Sequence, residues 1–315
     1  MSTRRKQVRG KDLVSRLQER VNEGNYYEAL QLYKTSFARF KAQGKLDEAE
    51  ELLVSGAVAM GNENERNAAT ELGLLLISSY EDNGRLIDEV RTSQLQRVSE
   101  AMTPGSEMSE FLKHAIKWTG PSRSEGALYL RLTLARAYVT LGNLGEASRY
   151  YAVSGAPREH SSVLLRWSKM GYKGERDLFL CRAVLCTLSF NRTSDAAELW
   201  AASATATSDI SGSPEEDGNA WLDTPLCRFT RFVIELAEAK DGAKLATPEI
   251  ANTFLSIKDK YKPSLNRDPH LEQVRIFFKV DTRGSKYLGG GVGVRFSPFF
   301  RFSLFLCDFV TRVGF

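Results

Sequence analysis

The stretch from Gly24 to Ala57, GNYYEALQLYKTSFARFKAQGKLDEAEELLVSGA, decides the fold. Tyr26, Ala29, Leu30, Tyr33, Phe37 and Phe40 recur at the i, i+3, i+4, i+7 spacing of one apolar helix face, while Gln31, Thr35, Ala38 and Arg39 fall on the opposite side. Gly44 stands where a helix C-terminus favours a left-handed residue. Asp47, Glu48, Glu50 and Glu51 then suit the positive end of the next helix. Two helices joined by so short a turn pack antiparallel, so the stretch predicts a helical hairpin. It contains no histidine, no cysteine and no glycine-rich phosphate loop. Its order therefore serves packing, not bond-making.

The same pattern recurs along the chain. AATELGLLLISSYEDNG and LIDEVRTSQLQRVSEAM read as another pair, and SEMSEFLKHAIKWTG follows, stopped by Gly120 and Pro121. From Leu134, the positions Leu134, Ala135, Tyr138, Leu141, Gly142, Glu146, Ala147 and Tyr151 fall at tetratricopeptide-like spacings. Before residue 280 almost nothing alternates apolar with polar for long enough to make a core strand. About a dozen helices with short links predict an all-α fold, a right-handed α-solenoid of antiparallel, tetratricopeptide-like helix pairs.

Two regions break that rhythm. TATSDISGSPEEDGNAWLDTP, Thr205 to Pro225, is rich in Ser, Gly, Asp and Pro and predicts an irregular or hairpin insertion near 210–225. Trp221 inside it either folds back on the core or meets a partner. After residue 280 the glycines Gly289, Gly290, Gly291 and Gly293 cannot sustain a helix, so 281–315 reads as a flexible glycine- and aromatic-rich tail. The expected organisation is a basic arm (1–11), N-terminal repeats (12–155), C-terminal repeats (156–280) and that tail.

At 315 residues and 42% hydrophobic, the chain has material for a substantial core. A net charge of +4 does not imply a nucleic-acid partner. The start MSTRRKQVRGKDLV has no secretory apolar core, and no run approaches the roughly 18 apolar residues of a membrane span. The expectation is a cytosolic protein with no direct membrane insertion. Cys181 and Cys186 are five apart and Cys227 and Cys307 are isolated, which predicts packed, reduced thiols. His114, His160 and His270 have no second ligand at metal spacing and read as surface or edge residues. With no nucleophile elbow or phosphate loop either, neither an enzyme nor a cofactor is expected.

Beside that reading stands a resemblance. GNYYEALQLYKTSFARF, EAEELLVSGA, EDGNAWLDTPLCRFTRF and YKPSLNRDPHLEQVRIFF, in that order, resemble the Golgi to ER traffic protein 4 family over roughly residues 12 to 280. The resemblance implies a non-enzymatic, curved helical scaffold of the tail-anchored membrane protein targeting pathway. Its N-terminal helices would dock a targeting ATPase, and Lys34, Arg39, Lys41 and Glu71 are the positions it points to here. Its C-terminal part would hold a ubiquitin-like adaptor, which recruits a tetratricopeptide co-chaperone. The candidates there are Trp221, Leu222, Phe229, Phe232, Phe277 and Phe278. In animal members a BAG-family scaffold also joins. The final RFSPFFRFSLFLCDFVTRVGF departs from the family pattern.

Three rival readings are weaker. A tetratricopeptide adaptor for chaperone C-termini needs several regular repeats, and one fits well. A helical-repeat subunit of a large cytosolic complex needs a terminal winged-helix unit unlike the glycine-rich tail. A hydrolase needs a triad assembled only in space.

Overall fold

The structure is a computed structural model and describes residues 14–120, 122–209, 218–242, 248–268 and 271. Every regular element among the described residues is helical. By packing, the chain divides into two compact units, Met1–Leu141 and Gly142–Phe315. The boundary expected from the sequence lies later, after Gly155.

The first unit contains α1 (14–22), α2 (Tyr26–Ala42), α3 (Leu46–Asn62), α4 (Arg66–Asp82), α5 (Glu89–Ala101), α6 (Ser106–Thr119) and α7 (Glu125–Thr140). The first four helices end in the same turn. Gly24, Gly44, Asn64 and Gly84, one every twenty residues, all take positive φ, at 79, 71, 60 and 59°. In each turn the amide after the left-handed residue donates five residues back, as from Lys45 to the Phe40 carbonyl at 3.0 Å. The left-handed residue's own amide donates to the third residue before it, as from Gly44 to Lys41 at 3.0 Å. Identical stops at a fixed period give α2, α3 and α4 the same length of 17 residues. Asn replaces Gly at 64 because its short amide tolerates the left-handed region better than other side chains.

Each helix packs against its neighbour in sequence and against the next but one: α2 on α3 and α4, α3 on α4 and α5, α4 on α6, α5 on α7. Even- and odd-numbered helices therefore form two layers, the arrangement of a helical repeat. α3 is the central member and is buried on almost every side. Gly56 is what lets α2 and α4 reach it, because a Cβ there would lie 2.8 Å from the Tyr33 ring and 2.9 Å from Leu72 Cδ1.

The second unit contains α8 (Leu144–Tyr151), α9 (Pro157–Ser168), α10 (Arg176–Ser189), α11 (Thr193–Asp209), α12 (Pro225–Gly242), α13 (Pro248–Lys260) and α14 (Lys262–Leu265). Short 3-10 turns cover Lys173–Glu175 and Gly218–Asp223. Its core joins Leu178, Cys181, Val184 and Leu185 of α10 to Leu199 of α11, Leu226, Phe229 and Val233 of α12, and Phe254, Leu265 and Leu271.

The expected irregular segment from Thr205 to Pro225 is partly helical. α11 continues through Thr205 to Asp209, since Ala and Thr accept helical backbone there and the Thr205 hydroxyl donates back to the Ala201 carbonyl at 3.2 Å. Its far end, Gly218–Asp223, is a 3-10 turn. Residues 1–11, Cys307, His270, Phe277, Phe278 and the 281–315 tail lie outside the described residues.

Candidate functional site

Two separate clusters collect the candidate residues. The first lies on α2 and α4. Lys34 and Glu71, both pointed to by the resemblance, are ion-paired to each other, and Lys41 donates to Asp82 at 2.8 Å. Both pairs link helices of the same layer, 37 and 41 residues apart. That separation is two of the twenty-residue periods, which places the end of one helix face beside its counterpart. Asp82, the partner of Lys41, carries no local sign of that role in the sequence. Arg39 is exposed on the outer side of α2 with no side-chain partner among the described residues.

The other layer is joined in the same way. Arg85 bonds Asp47 at 2.5 Å and approaches Glu50 at 3.3 Å, and Arg97 of α5 bonds Glu51 of α3 at 2.7 Å. Glu50 is only 1% exposed, so it depends on the two guanidiniums of Arg85 and Arg91 that face it. In the second unit Arg158 of α9 bonds Glu198 of α11 at 2.7 Å.

The second cluster gathers the two motifs of the C-terminal half on α10. Asp177, buried at the start of α10, accepts from Thr224 at 2.8 Å and from both terminal nitrogens of Arg267 at 2.7 and 3.1 Å. The second of those nitrogens also donates to the Gly174 carbonyl at 2.7 Å. The Asp177 carboxylate holds the Arg267 guanidinium above its ordinary range. One turn along, Arg182 bonds the buried Asp268 at 2.5 Å. WLDTPLCR and PSLNRDP, far apart in the chain, are thus fastened to one helix. Neither Asp177 nor Arg182 stands out in the sequence, because each sits in an apolar helical run whose partners are distant.

Trp221 and Leu222 are partly buried and pack on the core of α10, α11 and α12, so Trp221 folds back. Phe229 is fully enclosed and is a core residue rather than an exposed contact. Phe232 keeps 40% of its surface, and both rings lie about 6 Å from Tyr261, at 6.0 and 6.2 Å.

The histidines do not behave alike. His114 is exposed, as expected. His160 is not a surface or edge residue: it is 1% exposed, stacks on Tyr151 at 5.6 Å and shares a hydrogen bond with the Ser148 hydroxyl at 2.8 Å. Enclosure pushes its pKa down to about 3, so it stays neutral. Among the described residues no three His, Cys, Asp or Glu side chains are placed to hold a metal ion, and no helix is long and apolar enough to cross a membrane.

Paired helices stacked in layers, with ion pairs between alternate helices, define a helical-repeat scaffold. A family model described as Golgi to ER traffic protein 4 matches residues 43–290. The Golgi to ER traffic protein 4 homolog of Oryzias latipes is 31% identical over 287 residues, covering 88% of this chain and 84% of its own length. The Homo sapiens homolog is 31% identical over 287 residues, with 88% and 83% covered. The chain belongs to the Golgi to ER traffic protein 4 family. The crystal structure of C. therm. Get4 shares the fold, with a TM-score of 0.69 at 21% identity over 86% of this chain and 89% of that one.

Proposed function

We propose that this chain is a non-enzymatic cytosolic scaffold of the tail-anchored membrane protein pathway, linking a targeting ATPase to a ubiquitin-like adaptor and, through it, to a tetratricopeptide co-chaperone. Family membership over most of the chain carries the reading. It is supported by the two clusters, one in each compact unit. The α2–α4 surface with Lys34, Arg39, Lys41 and Glu71 is the proposed ATPase face. Its charges are exposed enough to steer association and tune its salt dependence.

The proposed adaptor face is the surface carried by the Gly218–Asp223 turn and α12, with Trp221, Leu222 and Phe232 as contacts and Phe229 supporting them from beneath. Phe277 and Phe278 extend the proposal along the sequence. The clasp on Asp177 and Arg182 bonds Thr224, directly after that turn, and Asp268 of the PSLNRDP motif. A BAG-family scaffold is a further proposed partner, as in animal members.

Co-purification of the full chain with each candidate partner tests this. Stable recovery of a ubiquitin-like adaptor is expected. Recovery of chaperone C-terminal peptides alone would replace the reading with that of a general tetratricopeptide adaptor.

A further inference from the structure

Cys181 and Cys227, isolated from each other in sequence, meet in the second unit with their sulfurs 3.8 Å apart. Cys181 lies on α10 and Cys227 in the first turn of α12, and both are free, buried thiols. The two are not equivalent. Cys227 sits at the positive end of its helix, its amide donating to the Thr224 hydroxyl at 3.3 Å and its sulfur 3.5 Å from the Trp221 carbonyl. A hydrogen bond from the Cys181 thiol holds Cys227 below the ordinary thiol range. Burial, and then the neighbouring sulfur, push Cys181 well above it. Cys186, a little further along α10, belongs to a different packing cluster with Ala152 and Phe190.

We propose that Cys181 and Cys227 are an oxidation site of this protein, closing to an intramolecular disulfide in response to a peroxide. A disulfide needs its sulfurs about 2.05 Å apart, so an approach of just under ~2 Å, shared between two side chains, completes the bond. The Cys227 thiolate attacks a peroxide oxygen and breaks the O–O bond. This gives the Cys227 sulfenic acid and a hydroxide that takes up a proton as water. The Cys181 sulfur then attacks the Cys227 sulfur, gives up its thiol proton, and expels the sulfenic oxygen as a second water. Two thiols are oxidised and one hydrogen peroxide is reduced to two waters.

The bond would tie the start of α12 covalently to α10, beside the Asp177–Thr224 hydrogen bond that already joins them. Trp221 and Leu222 of the Gly218–Asp223 turn pack against the core that holds both thiols and would limit a peroxide's approach to them.

The test treats the full chain with hydrogen peroxide, blocks remaining thiols under denaturing conditions, and maps tryptic peptides. Cys181, Cys186 and Cys227 fall in three different peptides, ending at Arg182, Arg192 and Arg228. The expected product joins the first to the third, disappears on reduction with dithiothreitol, and leaves Cys186 as a thiol. The oxidised chain should melt higher than the reduced one, because the link closes a 46-residue span in the unfolded state. In Cys227→Ser, Cys181 should survive the same peroxide treatment as a thiol, and Trp221→Ala should speed formation of the link several-fold.

The proposal is overturned if both thiols remain alkylatable, if either goes on to sulfinic acid without the link, or if the links run to Cys186 or Cys307. Oxidation of Cys181 in Cys227→Ser at the wild-type rate would overturn the assigned order of attack. Because the wild-type map alone decides the main point, a variant that fails to fold does not protect the idea.

Discussion

Lys34 of α2 and Glu71 of α4 are bonded to each other, so two charges that sequence reading assigned to one partner surface also satisfy one another within the fold. The pair is exposed, and such pairs contribute only about 0–1 kcal/mol to stability. Reversing Lys34 and Arg39 to Glu should therefore leave the fold nearly unchanged, weaken binding of the targeting ATPase and leave adaptor binding intact. The swapped pair Lys34→Glu with Glu71→Lys keeps the internal bond but inverts the pattern offered outward. Titrations at two salt concentrations should find it as weak as Lys34→Glu alone. Full recovery by the swap would mean the pair serves only the fold.

Arg182 and Asp268 make a stronger prediction, because Asp268 is 1% exposed. Removing one member of a buried pair strands the other charge, at a cost of about 3 kcal/mol. Asp268→Ala should lower the free energy of unfolding by about that amount, and the double variant with Arg182→Ala should cost less than the two single losses added. Denaturant titration measures both. A loss in Asp268→Ala of under about 0.5 kcal/mol, the scale of ordinary surface changes, would show that the clasp does not hold the PSLNRDP motif in place.

Gly56 and Gly44 should respond differently to alanine. At Gly56 helix propensity gains about 1 kcal/mol, but the new methyl meets the Tyr33 ring at 2.8 Å and Leu72 at 2.9 Å from opposite helices. Overpacking of this kind costs about 1–3 kcal/mol, so the net change is destabilising and should come with disturbed near-ultraviolet signals from Tyr33. At Gly44 nothing lies within 4 Å, and the loss of about 1 kcal/mol should come only from the positive φ. Far-ultraviolet melts of both variants make the comparison.

The buried His160 predicts an acid sensitivity with a defined sign. Its pKa is pushed down to about 3 in the fold, while the unfolded chain titrates near ~6.5. As pH falls below the unfolded value, only the unfolded state takes up the proton, so folding loses about 1.4 kcal/mol per pH unit until the folded value is approached. Above that range the group has no effect. Between pH 7 and pH 5 the wild type should lose about 2 kcal/mol more stability than His160→Gln. Equal slopes for the two would show that His160 is protonated in the fold.

Much of the fold was legible because helix formation is governed by near neighbours. The apolar stripe through Ala29, Leu30, Tyr33 and Phe37 is the face that α2 buries, and Gly44 takes the left-handed φ its position called for. Leu134, Ala135, Ala147 and Tyr151 are buried as repeat spacing implied, although Leu141 keeps 48% of its surface. His160 was misread because a lone polar residue on a helix carries no local sign of the Ser148 hydroxyl and Tyr151 ring that enclose it. Thr205 was misread because turn-forming composition nearby outweighed the good helix formers just before it.

Where the chain turns and which helix faces are apolar can be read from the residues alone, since those depend on positions three, four or twenty apart. Tertiary structure alone decided which charges oppose each other, as with Lys34 and Glu71, Arg182 and Asp268, or Asp177 with Thr224 and Arg267. It also decided that Cys181 would meet Cys227. Those pairings need the path of the backbone between their ends, and Coulombic and sulfur contacts act only at distances that stacking of the helices creates.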